Sequence, residues 1–379
     1  MCIRDRHSAS LTSSNLTHNQ FLMWMGQQLD PEAPLYNMVL VFTLEGRTDP
    51  DTFQRAFQEL VDRSDALRTV IEVIGGVPQQ RVRAHLPYRV EFVDLSSTPD
   101  PEQAFQDWLQ ERKVRRLDLG VCSFDSVLIR LAPTRFKWCY TQHHILTDGW
   151  SAALVYQQMA HFYQLAREKR LHEAPALNDY QTYVEHEREF RQTESYRQAQ
   201  SYWRDKLLTP VDPFDFFGRQ LSGRSYRVHR VDHRLGEERT RLLKARAQEA
   251  GIRLLSQDLT LYAVFLTVLF AYLHRISGQS RLRIGSPFHN RPSLAFKETI
   301  GLFIEMGVLQ VDVLPDDTFA SLLKKVQSEV FASLRYAQPG IGSAKQNRAY
   351  NVLLNYYYLA FPDFDGMPTQ SEWAHSGFG

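Results

Sequence analysis

Gln142-His143-His144-Ile145-Leu146-Thr147-Asp148-Gly149-Trp150-Ser151 is the stretch on which the reading of this chain turns. Two adjacent imidazoles, a carboxylate four residues after the second and a glycine directly behind it concentrate acid–base chemistry in one short segment. Upstream, the aromatic-rich Phe136-Lys137-Trp138-Cys139-Tyr140-Thr141 follows the turn-like Ala132-Pro133-Thr134-Arg135 and predicts a strand. Downstream, Val155, Met159, Phe162 and Ala166 recur on one face at helical spacing. The cluster is therefore expected on a strand-to-helix connection, where a rigid scaffold presents reactive groups.

Neighbouring side chains on an extended segment point to opposite sides, so His143 and His144 cannot both face one pocket. One is expected to be reactive and the other structural. Asp148, past a short turn, can fix the local backbone or orient an imidazole. Gly149 lets a substrate approach the backbone closely, and its N–H can stabilise an oxyanion. Imidazoles and a carboxylate are also zinc ligands. The two histidines diverge, however, and no second histidine or cysteine cluster follows at ligand spacing, so no metal is expected.

Working outward, Asn37 to Glu45 reads as a mostly apolar strand, followed by Phe53, Ala56, Phe57, Leu60 and Val61 at helical spacing. Phe105, Trp108 and Leu109 mark another amphipathic helix, and residues 125–131 a strand leading into the histidine strand. From 171 to 179 the pattern loosens, a charged helical stretch runs through Trp203, and Pro210, Pro213 and Gly218 mark a loop-rich connection. The second half repeats the theme: a long helix over 254–276, short strands at 282–286 and 308–313, a helix carrying Phe319, Leu322, Leu323, Val326, Val330 and Leu334, and a closing aromatic strand over 351–359. Alternating strands and helices predict layered α/β lobes.

Composition narrows the function. The chain has 379 residues, 43% apolar and 23% charged, enough for two compact units with cores of their own. A formal net charge of +1 gives no electrostatic footprint for nucleic acid or an anionic membrane. Three cysteines, Cys2, Cys122 and Cys139, without paired spacing argue against a disulfide framework and fit a reducing cytoplasm. The apolar stretch over 259–273 falls short of the ~18–20 residues that span a bilayer and reads as a core helix. Residues 1–6, Met1-Cys2-Ile3-Arg4-Asp5-Arg6, read as translated sequencing adapter and are set apart from the fold.

The histidine segment resembles the His-His-x-x-x-Asp-Gly signature of the condensation domains of nonribosomal peptide synthetases, members of the chloramphenicol acetyltransferase-like superfamily. Flanking blocks carry the resemblance from about residue 16 to about residue 355 in family order. Gln20 and Trp24 match the opening Gln-x-x-x-Trp motif, and Arg63-Ser64-Asp65-Ala66-Leu67-Arg68-Thr69 matches the Arg-His-Glu-x-Leu-Arg-Thr block with Ser64 and Asp65 in place of His-Glu. Asn178-Asp179-Tyr180 and Ser201-Tyr202-Trp203 match the segment linking the lobes; Gly285-Ser286-Pro287, Asn290-Arg291 and Ile300-Gly301-Leu302-Phe303 match the second lobe. Two departures stand out. Ile304-Glu305-Met306 replaces Val-Asn-Thr, and Tyr336-Ala337-Gln338-Pro339-Gly340 stands for the later His-Gln-Asp block.

The resemblance implies two chloramphenicol acetyltransferase-like lobes in a V, spanning 7–175 and 176–379. Carrier domains are expected to dock at opposite ends of a tunnel between them. Family chains run on past the point where this one ends, so the resemblance also implies an incomplete second lobe. The implied reaction is attack of an aminoacyl amine on an acyl or peptidyl thioester, both held on the phosphopantetheine arms of carrier domains, with no cofactor bound by the domain itself and an adenylation domain in the same assembly line. His144 is implied as the pocket-facing residue and His143 as structural. Asp148 corresponds to the family's structural aspartate, with Arg63 as first and Arg68 as second candidate for its arginine partner. Gly149 is the oxyanion donor, Trp203 and Ser151 are candidates for the substrate channel, and Asn290 and Arg291 are expected as loop and lobe-junction residues. The same motif also serves stand-alone acyltransferases using coenzyme A or carrier thioesters, and a degenerate, non-catalytic docking domain would retain the fold. An epimerisation role is disfavoured by the Asp148-Gly149-Trp150-Ser151 continuation.

Overall fold

The computed structural model describes residues 14–214, 226–357 and 359–378. The adapter-like residues 1–6, Gly218 and Gly379 lie outside the described residues. Nine strands are named: β1 (Asn37–Glu45), β2 (Thr69–Ile74), β3 (Val77–Val82), β4 (Glu91–Asp94), β5 (Phe124–Ala132), β6 (Arg135–His143), β7 (Arg281–Phe288), β8 (Glu305–Asp312) and β9 (Thr369–Ala374).

The apolar runs of β1, β5 and β6 form the middle of a five-stranded sheet ordered β4-β5-β6-β1-β9. All pairs are antiparallel except β4 with β5. These central strands are nearly continuous in apolar residues because helices cover both faces. Leu40, Phe42 and Leu44 of β1 point to one side, where the helices Pro50–Arg63 and Gly149–Arg167 pack; Val39 and Val41 point to the other, with Phe105 and Leu109 of the helix Pro101–Arg112. Helix starts follow local chemistry. Asp49 caps Thr52 N–H ahead of Pro50, and Asp148 caps Ser151 N–H ahead of Gly149.

A second core lies between the β7–β8 pair and the helices Gln257–Ser277, Phe319–Tyr336 and Glu194–Lys206. The helix Gln257–Ser277 is 21 residues long, and by length and composition it reaches what a bilayer span requires, longer than the apolar stretch alone suggested. Leu261, Leu266, Phe270 and Leu273 are nevertheless buried, the last three within the second core.

Two expectations are corrected. The stretch 351–359 is not a full strand: among its described residues only 352–354 engages, with Gly285 N donating to Val352 O and Leu354 N to Gly285 O, each at 2.9 Å. The lobe boundary at 175/176 is not a packing boundary either. Tyr180, Tyr183, Ile300, Leu302, Phe303, Phe364 and Met367 all belong to the first core, and β9 adds to the β1 edge of the first sheet. The physical reason is that β1 would otherwise expose a row of unpaired N–H and C=O groups beside an apolar face.

Candidate active site

β6 ends at His143, and its alternation separates the two histidines as expected. His143 turns away from the larger cavity. Its Nδ1 accepts from Ile145 N at 3.1 Å, and its ring packs 5.9 Å from that of Tyr36. Burial, reinforced by the neighbouring His144, pushes its pKa down to about 3, so it stays neutral. His144 is partly exposed and forms part of the wall of a cavity of about 590 Å³. Its backbone N–H donates to Tyr36 O at 2.8 Å, while its ring Nδ1 is buried without a hydrogen-bond partner. Burial lowers the His144 pKa, with the charge of Asp148 pulling the other way. A neutral imidazole is thereby held at the cavity.

Asp148 lies behind that wall, fully buried, and gathers the junction between the cores. Its Oδ1 accepts from Ser151 N at 2.8 Å and its Oδ2 from Phe303 N at 3.0 Å. Its charge partner is Arg291, whose Nη2 lies 3.0 and 3.1 Å from the two carboxylate oxygens. Burial alone would raise this carboxyl, but the Arg291 guanidinium and the N–H donors hold it below the ordinary range. The arginine expected from the earlier block is therefore replaced by the junction residue. Arg63 pairs with Glu59 one helical turn away at 2.5 Å. Arg68 donates to the backbone carbonyls of Arg83 and Ala84. Both are committed to local contacts, whereas Arg291 reaches Asp148 from the second half, donates from Nη1 to Phe296 O and Thr299 O, and lies over the Phe303 ring at 3.9 Å.

The channel candidates resolve differently. Ser151 is buried in the brace rather than in the cavity wall: its hydroxyl donates to Gly301 O at 2.6 Å and accepts from Gly301 N at 2.9 Å. Trp203 sits in the second core, donating from Nε1 to Tyr336 O at 2.8 Å. Gly149, at the first turn of the helix Gly149–Arg167, lines the cavity together with Trp150. Asn290 adopts φ 49° and donates to the Tyr183 hydroxyl. Sequence reasoning missed His289, Arg230 and the wall supplied by Leu353, Tyr357 and Trp373. No spacing links these residues to the histidine segment: the end of β7 brings His289 against Trp150, and the return of the chain along residues 352–357 and β9 brings Leu353, Tyr357 and Trp373, whose carbonyl accepts from Arg230. Among the described residues, no group of three or more His, Cys, Asp or Glu side chains is arranged to hold a metal ion.

Residues 11–347 match the family model described as Condensation domain. Among curated relatives, one of the plipastatin synthase subunits of Bacillus subtilis (strain 168) is 28% identical over 315 residues, covering 82% of this chain and 8% of that protein. Malpinin synthetase of Mortierella alpina is 26% identical over 331 residues, 85% of this chain and 4% of that protein. The chain thus spans less than a tenth of either relative's length. Among solved structures, the starter condensation domain of rhizomide synthetase in complex with C8-CoA superposes with a TM-score of 0.83 at 21% identity, covering 98% of this chain and 85% of that one. The first condensation domain of the CDA synthetase gives 0.80 at 24%, covering 94% and 84%. These likenesses establish the fold, and the match over 11–347 takes in the histidine segment, its brace and most of both cores. The chain therefore belongs to the condensation-domain family, the amide-bond-forming acyltransferases of nonribosomal peptide synthesis.

Proposed function

We propose that this domain joins a donor acyl or peptidyl thioester to the amine of an acceptor aminoacyl thioester. Both substrates ride on phosphopantetheine arms of an upstream and a downstream carrier domain, in a cytoplasmic assembly line that includes an adenylation domain. The two cores correspond to two lobes set in a V, with the His144 cavity as the tunnel between them. The observation that carries the reading is the split between the histidines: His143 is consumed by structure, while His144 forms part of the wall of a cavity of about 590 Å³.

The amine nitrogen attacks the thioester carbonyl carbon, and the N–C bond forms as the carbonyl oxygen becomes an oxyanion. The Gly149 N–H, at the positive end of its helix, stabilises that charge. Collapse breaks the C–S bond; the amine's proton passes to the departing thiolate, leaving an amide on the acceptor arm and a free thiol on the donor arm. Because burial lowers its pKa, His144 is neutral at pH 7 and accepts a hydrogen bond from the amine. The same burial makes it a weak base. An α-amino group, with a reference pKa of ~7.7–8.0, already supplies a useful neutral fraction. Positioning therefore carries the larger share of the His144 effect.

His144→Ala is expected to slow amide formation between loaded carrier domains by ~10²–10⁴-fold without moving the thermal midpoint. A folded variant with full activity would overturn the assignment.

A further inference from the structure

Behind the histidine segment lies a second cavity, which the proposed reaction does not use. It measures about 220 Å³, below the ~300–1,000 Å³ usual for drug-sized ligands. Its described lining residues all fall between 24 and 143, so the first half of the chain builds it alone. Part of the wall is apolar: Trp24, Ile71 and Leu119 belong to a small cluster that also holds Ile145 and Leu146 of the histidine segment. An occupant would therefore touch from behind the segment that presents His144.

His143, only 4% exposed, lines this cavity. Its Nδ1 accepts from Ile145 N and burial keeps the ring neutral, so the proton sits on Nε2. That Nε2–H has no hydrogen-bond partner among the described residues, and Nε2 is not one of the polar atoms sealed from solvent. A donor this deep costs ~1–3 kcal/mol when left without an acceptor. Two acceptors stand unspent on the same wall. Asn37 lies directly opposite His143 in the β1–β6 register, which puts both side chains on one face of the sheet. Its Nδ2 donates to Arg115 O at 2.8 Å, leaving Oδ1 without a partner among the described residues. Gln27 likewise commits its Nε2 to Asp30 O and Ala33 O, at 2.9 and 2.8 Å, leaving Oε1. The two charged side chains on the wall are opposite in sign and engaged, Arg116 with Glu32 at 2.9 Å and Asp118 with Gly120 N at 2.9 Å. One donor and two acceptors beside an apolar surface complement a primary carboxamide, which offers one C=O and two N–H groups. We infer that this cavity binds a small uncharged molecule carrying a primary amide on a short apolar stem, its carbonyl accepting from His143 Nε2–H and its N–H groups donating to Asn37 Oδ1 and Gln27 Oε1.

The probe is isovaleramide, compared with isovalerate and isopentylamine, which keep the stem and carry a negative or a positive charge. Binding is measured on the whole chain by saturation-transfer NMR of the probe's methyl protons. Isovaleramide is expected to bind at least about tenfold more tightly than either ion. Val73 lines the cavity and is 58% exposed, so Val73→Trp is expected to keep the thermal midpoint, fill the mouth and abolish the signal. His143→Phe keeps an aromatic ring and removes the donor, and is expected to weaken isovaleramide at least about fivefold. No binding of isovaleramide, equal binding of either ion, or binding that survives Val73→Trp overturns the inference. Undiminished affinity in a folded His143→Phe protein overturns it as well; should that variant fail to fold, the Val73→Trp result decides.

Discussion

Gly301 to Glu305 runs between two buried carboxylates that the protein handles in opposite ways. On one side Asp148 takes the N–H of Phe303 and the guanidinium of Arg291, and is held in its charged form. On the other, Glu305 accepts from Gly340 N at 2.6 Å and Gly342 N at 3.3 Å, and none of the ion pairs among the described residues includes it. Burial and the nearby Glu187 push its pKa up to about 8. Glu187, itself pushed up to about 7 by burial despite Arg191 and Arg188, accepts from His18 N at 2.7 Å. His18 is held at about 4 by burial and Arg191, so its neutral ring donates from Nε2 to Gly342 O at 2.5 Å. The first cluster is a charged brace behind the His144 loop; the second is a proton-holding latch that ties the helix His18–Gln27, the helix Gln181–Phe190 and the 340–342 loop to the start of β8. One is stabilised by ionisation and the other is destabilised by it.

Removing the cation from the brace gives the largest effect. Arg291→Ala strands Asp148 in the core and is expected to lower stability by about 3–5 kcal/mol, read as the shift of a denaturant midpoint. Its pH dependence supplies the diagnostic. In the native protein the Asp148 carboxyl is depressed, so its contribution is present at neutral pH and fades as pH falls through its folded pKa. Without Arg291, burial raises that pKa, and the variant should recover part of its loss on acidification. A variant that loses stability with acid as the native protein does would show that Asp148 does not depend on Arg291.

The latch responds with the opposite sign. The Glu305 carboxyl is raised from an ordinary 4.5 to about 8, so its contribution is fully present below about 4.5 and is lost as pH rises through about 8. Glu305→Gln keeps an oxygen for the Gly340 N–H and removes the titration. It should nearly match the native protein near pH 5 and exceed it by about 3–4 kcal/mol near pH 9. An equal offset at both pH values would mean that Glu305 does not titrate in this range.

The brace and the latch also mark where the sequence stops being legible. The strand over Asn37–Glu45 is readable because both its faces are buried and its apolar run is nearly unbroken. The split of His143 from His144 follows from strand alternation, and the Asp148 cap from its place before Gly149. The Asp148–Arg291 pair is not readable, because 143 residues separate the partners and nearer arginines offer themselves. β9 escaped for a related reason. Thr369-Gln370-Ser371-Glu372-Trp373-Ala374 is polar and half exposed on an edge, so its strand character comes from the unpaired side of β1 rather than from its own pattern. The aromatic stretch over 351–359 misled in the opposite direction: Tyr356 and Tyr357 are there to wall a cavity, not to fill a sheet. Glu305 was visible as a departure from the family pattern, but its meaning depends on Gly340 and Gly342, which no spacing connects to it.

The smallest change sharpens the comparison most. A Cβ at Gly342 would lie 2.8 Å from Asn19 Oδ1 and 3.3 Å from Glu305 Oε2. Asn19 is not free to withdraw, since its Nδ2 donates to Ile304 O at 2.6 Å. Gly342→Ala must therefore loosen either that amide or the Glu305 carboxylate, at an expected loss of about 1 kcal/mol. Because the two residues share the latch, its effect should be non-additive with Glu305→Gln by about 0.5 kcal/mol or more in a double-mutant cycle. The same substitution touches neither Asp148 nor Arg291, so it should leave the acid limb of the stability profile unchanged while altering the alkaline one. Additivity with Glu305→Gln would dissolve the latch into unrelated contacts, and a shift in the acid limb would merge it with the brace.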